Sequence, residues 1–248
     1  MAAEQHGPLE QFKVTPLFKD EFASFFDFTN ASLVMVIIVL LIWLFVAGGM
    51  RHASAVPSRW QSMVEIVYEF IAGMLYESAG TEAKRFFPFV FTLFMFILFA
   101  NLIGMLPYAF TVTSHIVVTF AFAAFVFLMV TVMGFINNGI GFLRLFVPSG
   151  VPMVLALILV PIELLSYLTR PVSLSVRLFA NMMAGHTMLK VIASFIVPLG
   201  SYYLVPGILP LLGIIALTGL EILIAVLQAY VFALLTCIYL NDAFHIEH

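Results

Sequence analysis

From Leu145 to Leu240 the chain is apolar, yet Glu163, Arg170, Arg177, His186, Lys190, Glu221 and Gln228 are set into it. Ionisable side chains inside apolar helices are costly, and they mark ion paths, proton relays or buried pairs. Arg177 cannot be deprotonated, so its position holds a permanent positive charge. His186 and Glu221 are of another kind: an imidazole and a partly buried carboxyl can both exchange protons near neutral pH. In helical register Arg170 falls on nearly the same face as Arg177, almost two turns away, with Ser173 and Asn181 close by. His186 turns about 180° from Arg177 and climbs about 13 Å along the helix. One face therefore carries a fixed cation among small polar groups, and the opposite face carries a titratable ring.

The last two apolar segments are expected to form an antiparallel hairpin. Pairing Arg177 with Gln228 puts its fold between residues 202 and 203, the middle of the break from Pro198-Gly200 to Pro206-Gly207. The same pairing sets Glu221 opposite residue 184, close to His186, and Asp242 opposite Glu163. Three polar layers result: His186 with Glu221 toward the outside, Arg177 with Gln228 in the middle, Glu163 with Asp242 toward the inside. This layout suits ions arriving from both sides with a permanent cation between them. Arg177 would repel a free proton and attract a carboxylate on a partner. Plainer roles stand beside these. His186 and Glu221 can simply tie the hairpin, and Gln228 can bond adjacent helices. Glu163 lines an inner path or sits solvated at the membrane edge. Arg170 and Lys190 pair or snorkel, and His115 is an interfacial loop residue.

The elements that must position these residues follow from composition. The 248 residues are 63% hydrophobic, 15% aromatic and only 9% charged, against about 25% charged in an ordinary soluble domain. A soluble monomer could not hide so much hydrocarbon, so a soluble enzyme and a disordered tail are excluded. A net charge of −3 over so few charges offers no basic stripe for nucleic acid. Cys237 is alone and reads as a small buried hydrophobe. His6, His245 and His248 lack metal-ligand spacing, and neither a Gly-rich phosphate loop nor a nucleophile elbow appears. No metal or cofactor is expected.

Uncharged stretches of about 20 residues cross the hydrocarbon as helices. The segments read as a tail over 1–27, a first transmembrane helix over 28–50, a transmembrane hairpin over 86–143 and the long tilted hairpin over 150–248. The turn of the 86–143 hairpin lies between Pro107-Tyr108 and Ser114-His115, and the Phe-rich run 86–99 is lipid-facing and packing surface. Residues 57–80 differ. Met63-Val64, Ile66-Val67, Phe70-Ile71 and Met74-Leu75 recur at helical spacing, and Glu65, Glu69 and Glu77 take the other face. Pro57 suits the first turn of that helix, which should lie along the membrane surface. Arg51, Arg59, Lys84, Arg85 and Arg144 put the surface helix inside, the tail outside and the C-terminus inside. The tail lacks the basic and apolar regions of a cleavable signal, so the first span acts as an uncleaved anchor.

The residues that carry a family likeness are Pro161-Ile162-Glu163, the run Arg170-Pro171-Val172-Ser173-Leu174-Ser175-Val176-Arg177-Leu178-Phe179-Ala180-Asn181-Met182, and Ala184-Gly185-His186. With Glu221, Leu227-Gln228-Ala229-Tyr230-Val231-Phe232, Asn101-Leu102-Ile103-Gly104-Met105-Leu106-Pro107 and Pro57-Ser58 with Gln61 and Glu65, they closely resemble the subunit a family of F-type ATP synthases. The resemblance covers nearly all of the chain after residue 30, and the arginine segment is its most specific part.

That resemblance implies a non-catalytic stator subunit with two aqueous half-channels ending at a rotating ring of c subunits, whose carboxyls bind and release protons. Arg177 would face the ring and prevent a proton short-circuit. His186, Glu221, Gln228, Asn181, Glu163, Ser173 and Asp242 would line the proton path. Peripheral-stalk b subunits and an F1 sector are the further partners implied, with ATP chemistry left to them. Family members carry Glu in the Ala-Gly-X motif with His on the last helix, or the reverse; His186 with Glu221 is the reverse form. Some bacterial members have an acid in the second span; here that contribution falls to Asn101, His115 or water. The expectation is thus an all-α integral membrane protein with five crossings and one interfacial amphipathic helix. A bacterial inner (plasma) membrane is the expected location, with a mitochondrial inner membrane as alternative. A self-contained secondary ion transporter and a non-transporting scaffold are the competing functions.

Overall fold

A computed structural model describes residues 29–51, 54, 56–106, 109–146, 153–202 and 204–244. The tail over 1–27, Pro107-Tyr108, His245 and His248 lie outside the described residues. Six helices carry the chain: α1 Asn30–Met50, α2 Arg59–Ala79, α3 Phe87–Gly104, α4 Ile116–Asn138, α5 Met153–Tyr202 and α6 Leu204–Phe244. All but α2 are long and apolar enough to cross a membrane. Helices are what such sequences require, because hydrocarbon offers the backbone no other hydrogen-bond partner. At about 1.5 Å per residue, the 50 residues of α5 run more than twice the thickness of a bilayer core. α5 ends at Tyr202 and α6 begins at Leu204, where the register argument put the fold.

Contacts divide the chain into two compact units. The first holds residues 29–44, 96–116 and 178–229. Within it the last part of α3 meets α6: the Asn101 amide donates to the Ala225 carbonyl at 3.4 Å. Ala225 and Ala229 are fully buried, and residues this small let helix backbones approach closely. The segment after α3 turns back through a 3-10 turn at Val112–Ser114, whose three residues are all buried.

The second unit holds residues 45–95, 117–177 and 230–244. α2 is amphipathic and buries Val64, Ile71, Met74 and Leu75 on one face. Its boundaries have local causes. The Ser58 hydroxyl accepts from the Gln61 N–H, and Gly80 ends the helix at φ 69°, a left-handed conformation that favours glycine. Pro57, expected inside the first turn, therefore precedes the cap, because Ser58 supplies the side-chain acceptor that starts the helix. The Trp60 indole N–H donates to the Phe45 carbonyl at 3.0 Å, and a Cβ on Gly49 would lie 2.6 Å from Val64, so glycine admits α2 against the end of α1.

α4 ends earlier than the apolar run to residue 143 suggested. Asn138 is its last residue and Gly139 follows at φ 55°, opening a 3-10 stretch to Phe146. Arg85, just before α3, donates to the Asn137 side chain at 3.2 Å, and Asn138 donates to the Ala243 carbonyl at 2.6 Å. The second bond satisfies one of the last four carbonyls of α6, which have no partner within the helix. A buried Phe142 packs on Gly134, while Thr131 and the Tyr167 hydroxyl share a hydrogen bond of 2.7 Å.

Candidate functional site

In the first unit the antiparallel segments of α5 and α6 bring together the titratable residues singled out in the sequence. His186 Nδ1 lies 3.7 Å from Glu221 Oε1, and both residues are buried, at 8% and 5% exposure. About 1.4 turns before His186, Asn181 donates to Gln228 Oε1 at 3.3 Å. Gln228 thus has a partner in Asn181, which the helical register sets close to Arg177. Glycine creates the space for the pair: a Cβ on Gly185 would lie 2.5 Å from Glu221 Oε1.

Polar satisfaction around this pair is incomplete. Neither oxygen of Glu221 has a hydrogen-bond partner among the described residues, and the same holds for Gln228 Nε2 and Asn101 Oδ1. Buried polar atoms are nearly always bonded, so such a cluster points to bound water or a transferred proton. A recess of about 190 Å³ adjoins it, lined by Asn181, Gly185, Met188, Leu217, Glu221 and Ile224. Asn181 and Glu221 are its polar side chains. The arrangement sets a carboxyl and an imidazole where a proton can pass between them.

The third side of the site was missed in the sequence. Thr111, 2% exposed, sits with its hydroxyl 3.3 Å from His186 Nε2 and donates to the Gly104 carbonyl at 3.2 Å. The hydroxyl-rich run Thr111-Val112-Thr113-Ser114 between two spans was the available signal, but its contact with a histidine 75 residues later is not a local property. His115, at the end of this segment, stacks on Phe110 with ring centroids 5.0 Å apart. Burial pulls its imidazole below the ordinary value of 6.5.

The second unit holds the other group. Arg177 is exposed, and within this unit no carboxylate among the described residues pairs with it. Ser173, one turn earlier, is also exposed, and Glu163 is partly buried. Asp242 has a partner that the layer with Glu163 did not include: its carboxylate binds Arg170 Nη1 at 2.9 Å. Two carboxylates facing each other repel, whereas a guanidinium in an apolar helix demands a counter-charge. Arg170 also lies over the rings of Tyr167 and Tyr239, at 5.3 and 4.9 Å, which fixes it further.

Comparisons with known proteins agree over nearly the whole chain. The family model described as ATP synthase A chain matches residues 31–241. The ATP synthase subunit a of Parvibaculum lavamentivorans is 57% identical over 256 residues, covering 99% of this chain and 98% of that protein. The subunit a of Pelagibacter ubique is 56% identical over 244 residues, with 98% and 99% covered. That of Paramagnetospirillum magneticum is 54% identical over 245 residues, with 97% and 99% covered. With five helices fit to cross a membrane and these matches over nearly its whole length, the chain belongs to the ATP synthase A chain family.

Proposed function

We propose that this chain is the non-catalytic membrane stator of an F-type ATP synthase, carrying protons through two half-channels to and from the carboxyls of a c ring. The observation that carries the reading is the buried His186–Glu221 pair, whose carboxylate has no hydrogen-bond donor among the described residues and borders a recess of about 190 Å³. In this reading His186, Glu221, Asn181 and Gln228 belong to the outer half-channel. Glu163 and Ser173 belong to the inner one, with Asp242 held at its edge by Arg170. Arg177 stands between the two sets in the order of α5 and supplies a charge that no pH change removes. Its exposure supports a contact with a c-ring carboxylate and opposes a structural role in the packing of its own unit. Each proton crossing 100 mV releases about 2.3 kcal/mol, which ring rotation carries to the F1 sector.

Partners in this reading are the c ring, peripheral-stalk b subunits and, through the complex, F1. Its location is the inner (plasma) membrane of a bacterium, in keeping with the bacterial relatives. The test is ATP-driven proton pumping in vesicles carrying the assembled complex, wild type against Arg177→Ala. Lost pumping with retained assembly is expected. Unimpaired pumping would withdraw the mechanism, and transport by this chain without a c ring would favour a self-contained transporter.

A further inference from the structure

The Thr111 hydroxyl has one hydrogen and two lone pairs. Its hydrogen goes to the Gly104 carbonyl at 3.2 Å, which belongs to the last residue of α3 and has no acceptor duty within that helix. Only lone pairs then remain for His186 Nε2, 3.3 Å away, so Nε2 must be the donor in that contact. A neutral imidazole carries a single N–H. With the hydrogen on Nε2, Nδ1 is left with its lone pair on the side of Glu221 Oε1, 3.7 Å away.

We propose that Thr111 is a positioning residue that holds neutral His186 in its Nε2–H tautomer, so that Nδ1 is the proton acceptor facing Glu221. This rests on the proton-transfer reading of the pair. In the step itself the O–H bond of a protonated Glu221 breaks and its electron pair stays on the carboxylate. The proton forms a new N–H bond with the Nδ1 lone pair, giving imidazolium and carboxylate. The opposite tautomer would turn an N–H toward Glu221 and could not accept. One bridging water, or a shift of about 1 Å, converts the 3.7 Å separation into a hydrogen-bonded path.

The surroundings hold the arrangement still. The backbone carbonyl of Thr111 accepts from the Ser114 hydroxyl at 2.6 Å, and the residue is almost fully buried. A Cβ on Gly104 would lie 2.7 Å from Thr111 Cγ2, so glycine is what lets the hydroxyl reach the end of α3. Electrostatically, Glu221 from α6 and Lys190, one turn further along α5, both act on His186.

The experiment uses the assembled complex in membranes with nitrogen-15-labelled histidine, at about pH 8 where an ordinary imidazole is neutral. The His186 signals are identified by their loss in His186→Asn. The wild type should show a protonated Nε2 and an unprotonated Nδ1. Thr111→Val, which keeps the shape and removes the hydroxyl, should move His186 toward the other tautomer. It should slow ATP-driven pumping about 10-fold, the weight of one hydrogen bond. Thr111→Ser should restore both. A wild-type His186 protonated at Nδ1, or a tautomer unmoved by Thr111→Val, overturns the proposal without any transport measurement. A tautomer that moves while pumping stays normal would keep the hydrogen-bond assignment and overturn the proton-transfer reading beneath it.

Discussion

Gly185 and Glu221 share one space: the position a side chain would take on the first is already filled by the carboxylate of the second, at 2.5 Å. The two residues lie on α5 and α6, so the close approach of these helices and the placing of the acid are a single feature. Gly185→Ala must push Glu221 away from His186 or spread the helices. Overpacking of this kind costs about 1–3 kcal/mol. The expected result is a several-fold loss of proton pumping with the complex still assembled, and normal pumping in this variant would show that the spacing of the pair does not matter.

Glu221→Gln keeps the size of the side chain and removes its proton exchange. Passive proton flux through F1-stripped membranes is expected to fall at least about 10-fold, the usual weight of a positioned proton carrier. Subunit composition on native gels should not change. Flux equal to wild type would return Glu221 to the plain role of tying the hairpin.

The ion pair of Arg170 and Asp242 makes a separate prediction about stability. Both side chains are mostly covered, at 24% and 32% exposure, and Arg170 also stacks on two tyrosines. Asp242→Ala leaves a covered cation without its anion and should cost about 1–3 kcal/mol. Arg170→Ala also loses the ring contacts, so it should cost more than Asp242→Ala. Heat-induced aggregation of the solubilised complex ranks the two, and the opposite order would remove the ring contacts from the account.

His115 supplies the pH dependence. Burial holds its folded-state value below 6.5, so below that pH a released segment binds a proton that the packed one refuses. The packing contribution is therefore complete above about pH 6.5 and declines as pH falls toward the lowered value. Amide exchange over residues 109–115, corrected for intrinsic rates, should quicken as pH falls below about 6.5 in the wild type and stay level in His115→Phe. Equal acid response in both proteins would assign the effect elsewhere.

The parts legible in the sequence were those governed by local pattern and by chain symmetry. Uncharged runs marked α1, α3 and α4, apolar pairs at helical spacing marked α2, and one chemical pairing put the fold at residues 202–203, where α5 gives way to α6. Assignments that required choosing among several partners were harder. The pairing of Asp242 with Arg170 rests on attraction between opposite charges, which a register between helices does not express. Pro57 yielded the helix start to Ser58 because a cap needs a side-chain acceptor. Thr111 was invisible because its role comes from a loop folding onto a helix far along the chain.

The bonds from Arg85 to Asn137 and from Asn138 to Ala243 tie three helix ends together: the start of α3, the finish of α4 and the finish of α6. Biogenesis inherits a parity rule from this. A reporter inserted at Gly80 and one fused behind α6 must emerge in the same aqueous compartment, whichever compartment that is. An insertion intermediate that separates them has not yet formed these bonds.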